Sequence, residues 1–263
     1  MISPSPPVTV MPPARAIVER AFDKLRSYGT PPYVVYLADA DGNLRRIAFR
    51  ASDEMMNDVS YPIGDRLPLA NIYRAFVGPL SLAVHEAVMP PNAQSSPSPR
   101  SSNAPSGLES DLKTIVTVTA NAPPAYRLDV RGIETIGGHQ VYHIDLAPRL
   151  DPERFALRAL WIDTSTYNIR RASYVTHPDI VPIGEADLTV EFSQVGPYWI
   201  AARWIVLYHS PDLPHPGYRE LEVKQMTFPT KLPDWLFDER AYEQHRRDHD
   251  VDYLHHIFPG GAP

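Results

Sequence analysis

The sequence predicts an α+β domain, a curved antiparallel β-sheet or half-open β-barrel covered by a small helical lid. Three observations carry this expectation. Proline supplies 29 of 263 residues, about twice its usual share of about 5%, and a proline inside a helix removes a hydrogen bond and clashes with the preceding turn. Short runs that alternate apolar and polar residues follow one another at hairpin spacing, separated by glycine- and aspartate-bearing turns. Helical periodicity occurs in only a few segments, too few to cover both faces of a sheet of roughly eight or more strands.

A helix is expected first. Pro12-Pro13 sit where a first helical turn loses no hydrogen bond, and from Ala14 the apolar positions Ile17, Val18, Ala21, Phe22, Leu25 and Tyr28 recur at three- and four-residue spacing. Glu19, Arg20, Asp23, Lys24 and Arg26 fill the opposite face, and Gly29 is the expected stop. Tyr33 to Ala38 and Leu44 to Arg50 then read as a hairpin about Asp41-Gly42. Within 67–88, Leu69, Ile72, Tyr73, Phe76 and Val77 suit a short helix that Gly78-Pro79 would break.

Residues 89–110 hold five prolines and many serines, with Met89 and Leu108 as the only sizeable apolar side chains. Such a segment buries too little surface to offset its ordering entropy, so a flexible insertion is expected. The series of strands then begins. Tyr126 to Arg131 alternates, Gly137-Gly138 turns the chain, and Gln140 to Leu146 returns with Tyr142, Ile144 and Leu146 on one face. Phe155 to Ile162 and Ile169 to Thr176 flank the turn Asp163-Thr164-Ser165-Thr166. Leu188 to Phe192 alternates, Gly196-Pro197 turns, and Trp199 to His209 follows as a strand apolar on both faces. Glu220 to Phe228 closes the meander, its apolar face switching between Val223 and Met226 as at a bulge.

One sheet face would carry Arg127, Asp129, Arg131, Asp187, Thr189 and Glu191, and the other Leu128, Val130, Leu188, Val190 and Phe192, so one side is wet and the other needs a cover. The expected organisation is a disordered N-terminal tail over 1–12, a single domain over 13–240 with the insertion at 89–110, and a polar C-terminal tail over 241–263. Trp235-Leu236-Phe237, after Pro233, is the expected anchor of a C-terminal helix on the sheet.

Composition narrows the function. The chain is 43% apolar and 21% charged, as globular proteins are. A net charge of −6 with no basic run gives no counterion-release energy on a phosphate backbone, which excludes nucleic acid as a partner. The absence of cysteine removes thiol nucleophiles, disulfides and cysteine-ligated metals. No apolar run reaches about 18 residues, the nearest being Trp199 to Tyr208, which Arg203 interrupts, so no transmembrane segment is expected. Met1 to Pro7 has neither the basic nor the apolar region of a secretory signal. The expected location is the periplasm or cell envelope if a signal peptide has been removed, and otherwise the cytoplasm.

Two stretches carry a family likeness. Val130-Arg131-Gly132-Ile133-Glu134-Thr135-Ile136-Gly137-Gly138-His139-Gln140-Val141-Tyr142 and Leu160-Trp161-Ile162-Asp163-Thr164-Ser165-Thr166-Tyr167-Asn168-Ile169-Arg170-Arg171 resemble the LolA/LolB-like superfamily of envelope lipoprotein-sorting proteins. There a strand, a glycine turn, a returning strand with a Tyr, and a Leu-Trp-Ile-Asp strand leading to an Arg-bearing hairpin recur, and the helix at 14–28 followed by a hairpin is similar to the family's opening. The likeness spans about 14–60 and 112–237 as an order of elements. It implies an unclosed antiparallel barrel around a helical lid, with an apolar interior that holds lipoprotein acyl chains or other lipids.

On that basis the candidate ligand-binding residues are Phe22, Leu25, Tyr126, Leu128, Val130, Tyr142, Ile144, Trp161, Leu188, Val190, Phe192 and Trp204, all placed on or near the apolar face. Other constellations read as structural. His245 and His249 are four residues apart, with Asp250, Asp252, His255 and His256 nearby, but Arg246, Arg247 and Asp248 stand where His-Glu-x-x-His needs its glutamate. A solvated helix and tail without a metal is expected. His139 and His143 share a strand face with Asp145 and should face solvent, while Asp163, Asp179, Glu185 and Asp187 read as turn and surface charges. No Gly-x-Ser-x-Gly, phosphate loop or dinucleotide fingerprint is present. The expected function is non-catalytic binding or carriage of a lipid or lipidated protein in the concave apolar face, in the bacterial cell envelope, without a cofactor. The alternative is an envelope interaction or stress-sensor protein acting through a surface for a protein partner.

Overall fold

An amphipathic helix opens the structure, a computed structural model that describes residues 11–29, 31–40, 42–52, 55–58, 125–149, 156–176, 185–209 and 217–247. The expectations for residues 1–10, for 67–88 and 89–110, for Asp179 and for His249 to His256 lie outside the described residues. Helix α1, Ala14–Ser27, buries Ile17, Val18, Ala21 and Phe22 on one face and pairs Arg15 with Glu19 at 2.7 Å on the other. The Pro13 carbonyl accepts the Ile17 N–H at 3.2 Å. The helix ends at Ser27, two residues before Gly29, because Tyr28 turns extended and takes tertiary partners instead of a further helical turn.

Ten strands follow: β1 Tyr33–Ala40, β2 Asn43–Arg50, β3 Met55–Asp58, β4 Tyr126–Ile136, β5 His139–Pro148, β6 Leu157–Asp163, β7 Ile169–Thr176, β8 Glu185–Val195, β9 Tyr198–His209 and β10 Gly217–Thr227. All but β3 match strands that the sequence predicts; four residues are too few to show a period. The β1–β2 turn sets Gly42 at φ +82°, a left-handed conformation that glycine adopts without a Cβ clash, with its N–H on the Asp39 carboxylate at 2.8 Å.

The strands form one antiparallel sheet in the order β3-β2-β1-β10-β9-β8-β7-β6-β5-β4. Every neighbour is sequential except β1 and β10, which join the N-terminal hairpin to the last strand. β3 and β4 are the two outer strands of this order, so the sheet is open. In β10, Gln225 faces Leu37 and Val223 faces Ala38, which leaves Lys224 as the extra residue of a bulge. This is the switch of apolar face seen between Val223 and Met226.

Two rows of side chains, offset by one residue on each strand, define the faces. The inner row runs Val130, Ile144, Leu160, Ala172, Val190, Trp204, Leu221, each residue directly opposite the next across β4 to β10. These residues belong to one core with α1, Tyr36, Ile47 and Phe49. The outer row runs His143, Trp161, Arg171, Glu191, Arg203, Glu222.

A second core lies on the other face of β1 and β2. Val35 and Ala48 pack there against Leu232, Leu236, Phe237 and Tyr242, from a short 3-10 helix, Asp234–Phe237, and helix α2, Glu239–Arg247. The expected anchoring role of Trp235-Leu236-Phe237 is what the packing displays. The boundary expected between 240 and 241 falls inside α2, because Tyr242 is 1% exposed and holds that helix on the sheet. No described helix is long and apolar enough to cross a membrane.

Candidate functional site

The inner face beneath α1 gathers most of the candidate residues. Tyr126, Ile144, Leu188, Val190 and Trp204 are fully buried in the main core, Phe22, Tyr142 and Phe192 are nearly so, and Leu25, Leu128 and Val130 are half-buried against it. α1 sits over β4 and β6. Helical period placed Phe22 and Leu25 and the period-2 signal placed the strand residues, with the register shifts after Val130 and before Phe192 leaving their side chains on this face.

Trp161 is the exception, and its expected place on the apolar face is corrected. It pairs with His143 across the ladder and lies on the outer face, where its Nε1–H donates to Glu134 at 3.0 Å. His143 stacks on it at 4.5 Å between centroids, and the Arg171 guanidinium lies over it at 5.5 Å. Strand β6 is apolar on both faces and has register shifts at Leu157/Ala159 and Trp161/Ile162, so alternation alone cannot fix which way Trp161 points.

His143 is likewise less exposed than expected: its Nδ1 lies 2.5 Å from Glu134 and its Nε2 3.2 Å from Asp145, with 20% of the side chain exposed. The His143 and Trp161 hydrogen bonds hold the Glu134 carboxyl below the usual range. Farther along the row, Arg171 and Arg203 converge on Glu191 at 2.6 and 3.4 Å, and Arg203 also meets Glu220 at 2.7 Å. An open groove of about 510 Å³ lies beside this row, lined by Glu191, Phe192, Ser193, Ala202, Arg203, Glu222 and Val223. Among the described residues no group of three His, Asp or Glu could hold a metal ion.

Where α1 ends, it meets the β6–β7 turn. Asp163, 2% exposed, accepts the Ser165 and Thr166 N–H groups at 3.0 Å and the Ser165 hydroxyl at 2.6 Å, and Arg170 Nη2 at 3.2 Å. Burial alone would raise its pKa, but these donors outweigh it and hold the carboxyl far below the ordinary range. The turn sets Tyr167 at φ +59°. Arg20 donates to the Tyr167 hydroxyl at 2.8 Å, and the Tyr28 hydroxyl donates to Asn168 Oδ1 at 3.0 Å. Tyr28 stacks on Trp199 at 5.9 Å, Lys24 lies over Tyr28 at 5.0 Å, and Arg170 lies over Trp199 at 5.0 Å. Trp199 is itself fixed by its Nε1–H on the Ile169 carbonyl at 2.9 Å. Lys24, Tyr28, Trp199 and Arg170 thus form a layered clamp at the end of the helix. The strand pattern placed these residues on their elements but gave no sign that they meet.

The chain matches no protein-family model and no curated protein. Among solved structures it is similar to a candidate outer membrane lipoprotein-sorting protein domain from Vibrio parahaemolyticus, with 13% identity and a TM-score of 0.44 over 87% of this chain and 99% of that one. It is similar to a DUF1329 family protein from Desulfovibrio piger, with 14% identity and a TM-score of 0.41 over 88% of this chain and 99% of that one. A LolA-superfamily protein from Nitrosomonas europaea matches with 15% identity and a TM-score of 0.35 over 86% of this chain and 98% of that one. LolA-superfamily structures are thus among those this chain is similar to.

Proposed function

We propose that this chain is a non-catalytic carrier that binds the acyl chains of a lipid or a lipidated protein on the inner face of the sheet, in the bacterial cell envelope. The observation that supports this reading is the unbroken apolar row from Val130 to Leu221 across an open sheet, with α1 as the only described helix in the core of that face. Ten strands at about 4.8 Å spacing extend roughly 45 Å, whereas a helix of this length is about 21 Å long and about 10 Å across. A lid of that size can swing aside without dismantling the ladder.

Acyl binding here needs no polar chemistry, since each methylene buried contributes about 0.8 kcal/mol. The inner residues are closed over in this structure, so loading requires α1 to move from its seat on β4 and β6. Native mass spectrometry of the purified protein, solvent extraction of any bound lipid and rebinding to the stripped protein test the reading. A stoichiometric acyl ligand that rebinds is the expected result. A clean apo mass with no rebinding of fatty acids, phospholipids or lipopeptides overturns it and favours a surface for a protein partner.

A further inference from the structure

We infer that the C-terminal half of α1 and the β6–β7 turn form a site for a phosphate-bearing anion, the headgroup of the bound lipid. The inference rests on the carrier reading and names the class of cargo. Its ground is a contrast in how cations are partnered. On the outer face Arg127, Arg131, Arg171 and Arg203 each have a carboxylate partner. Arg20 and Lys24 have none among the described residues. Arg20 lies 5.2 Å over the Tyr167 ring and spends one N–H on the Tyr167 hydroxyl, and Lys24 lies 5.0 Å over Tyr28. Asp23, between them in sequence, is exposed and bonds to neither.

These contacts position the cations without neutralising them. A guanidinium has five N–H donors and an ammonium three, so most donors on both side chains remain for an incoming anion. Residues 20 and 24 are one helical turn apart on the same side of α1, and the aromatic platform of Tyr167, Tyr28 and Trp199 fixes their stems. A forked guanidinium beside a point-like ammonium suits the three terminal oxygens of a phosphate monoester. Cations in the last turn of a helix also offset its dipole, which accounts for Lys24 and Arg26 but not for Arg20, seven residues before Ser27. The patch lies where α1 leaves the inner face, so an amphiphile with its chain beneath the helix presents its headgroup here. The net charge of −6 acts against anions at range, but screening over about 8 Å leaves the local cations to decide.

The test uses the whole chain and three probes, 1-oleoyl lysophosphatidic acid, monooleoylglycerol, which lacks only the phosphate, and glycerol 3-phosphate, which lacks only the chain. Calorimetry below the micellar concentration is expected to give the phosphate lipid an advantage of about tenfold or more over monooleoylglycerol, shrinking as salt is added. In the double variant Arg20→Ala/Lys24→Ala that ratio should fall toward one. In Arg127→Ala, which removes a carboxylate-paired cation of the outer face, it should persist. Equal affinity for the two lipids in the wild type, or a ratio that survives the double variant, overturns the headgroup site and leaves the carrier reading standing. If glycerol 3-phosphate alone binds, and does so only with Arg20 and Lys24 intact, the anion site stands for free phosphate esters and the carrier reading falls. Binding of none of the three overturns the headgroup site, and the rebinding of fatty acids, phospholipids and lipopeptides then decides the carrier reading.

Discussion

Asp163 shows how one side chain can organise a turn and carry an acid sensitivity with it. It satisfies two backbone N–H groups, one hydroxyl and a guanidinium from a position that is 2% exposed. Removing it strands all of these, so Asp163→Ala should cost about 3 kcal/mol in urea denaturation, and Asp163→Asn, which keeps an acceptor for the turn, roughly half of that. Its folded pKa is depressed, so its contribution is fully present above the ordinary value of 3.8 and is lost as pH falls below it toward the folded value. Thermal melting from pH 5 to pH 2 should therefore fall more steeply for wild type than for Asp163→Asn; parallel slopes would remove Asp163 as the cause. The sequence showed Asp163 as a turn residue but not its burial, which comes with the turn folded back on it and with Arg170 and His139 beside it. Trp161 carries the opposite lesson. Since its ring lies on the outer face against His143 and Arg171, Trp161→Ala should cost about 1–2 kcal/mol in stability and leave acyl rebinding unchanged, whereas a loss of rebinding would return Trp161 to the site.

At the scale of elements, helix existence was legible because Ile17, Val18, Ala21 and Phe22 keep a helical period, and its end was not, because Tyr28 is drawn out by Asn168 and Trp199 from across the fold. The bulge in β10 was legible for a local reason: an extra residue flips every later side chain, and Val223 followed by Met226 records the flip. The clamp at the end of α1 rests on few contacts, so the C-terminal half of the helix is expected to open separately from the sheet. It is held there by one hydrogen bond from Tyr28, one from Arg20 and a stack on Trp199. Tyr28→Phe removes a hydrogen bond contributing about 0.5–1.5 kcal/mol, so amides of Ala21 to Leu25 should exchange with deuterium roughly three- to tenfold faster while those of β5 to β8 keep wild-type protection. Uniform acceleration across α1 and the strands would mean the helix opens only with the whole domain.

Across the whole molecule the pairings β4–β5, β6–β7 and β8–β9 follow from turns visible locally, at Gly137-Gly138, Asp163 to Thr166 and Gly196-Pro197, while the pairing of β1 with β10 does not, since it joins segments far apart in sequence through apolar faces that many strands share. The same holds for the strap of Asp234–Phe237 and α2, whose apolar residues announce a docking surface without saying which face of which strands receives it. That strap has a core of its own: Val35, Ala48, Leu232, Leu236, Phe237 and Tyr242, set apart from the main core by the thickness of the sheet. A buried core this much smaller than the main one is expected to open before the sheet does. The four tryptophans report on this directly, with Trp204 in the main core, Trp161 on the outer face, Trp199 at the clamp and Trp235 stacked on Tyr242 and His245 in the strap. In protein labelled with 5-fluorotryptophan, the fluorine resonance of Trp235 should lose its native position at lower urea than those of Trp161 and Trp204, which should change together with the far-ultraviolet circular dichroism. Leu236→Ala, at a site 0% exposed, should lower the Trp235 midpoint and leave the other two nearly in place. If all four resonances move at one midpoint in both proteins, the strap belongs to a single cooperative unit and the sheet depends on both of its cores at once.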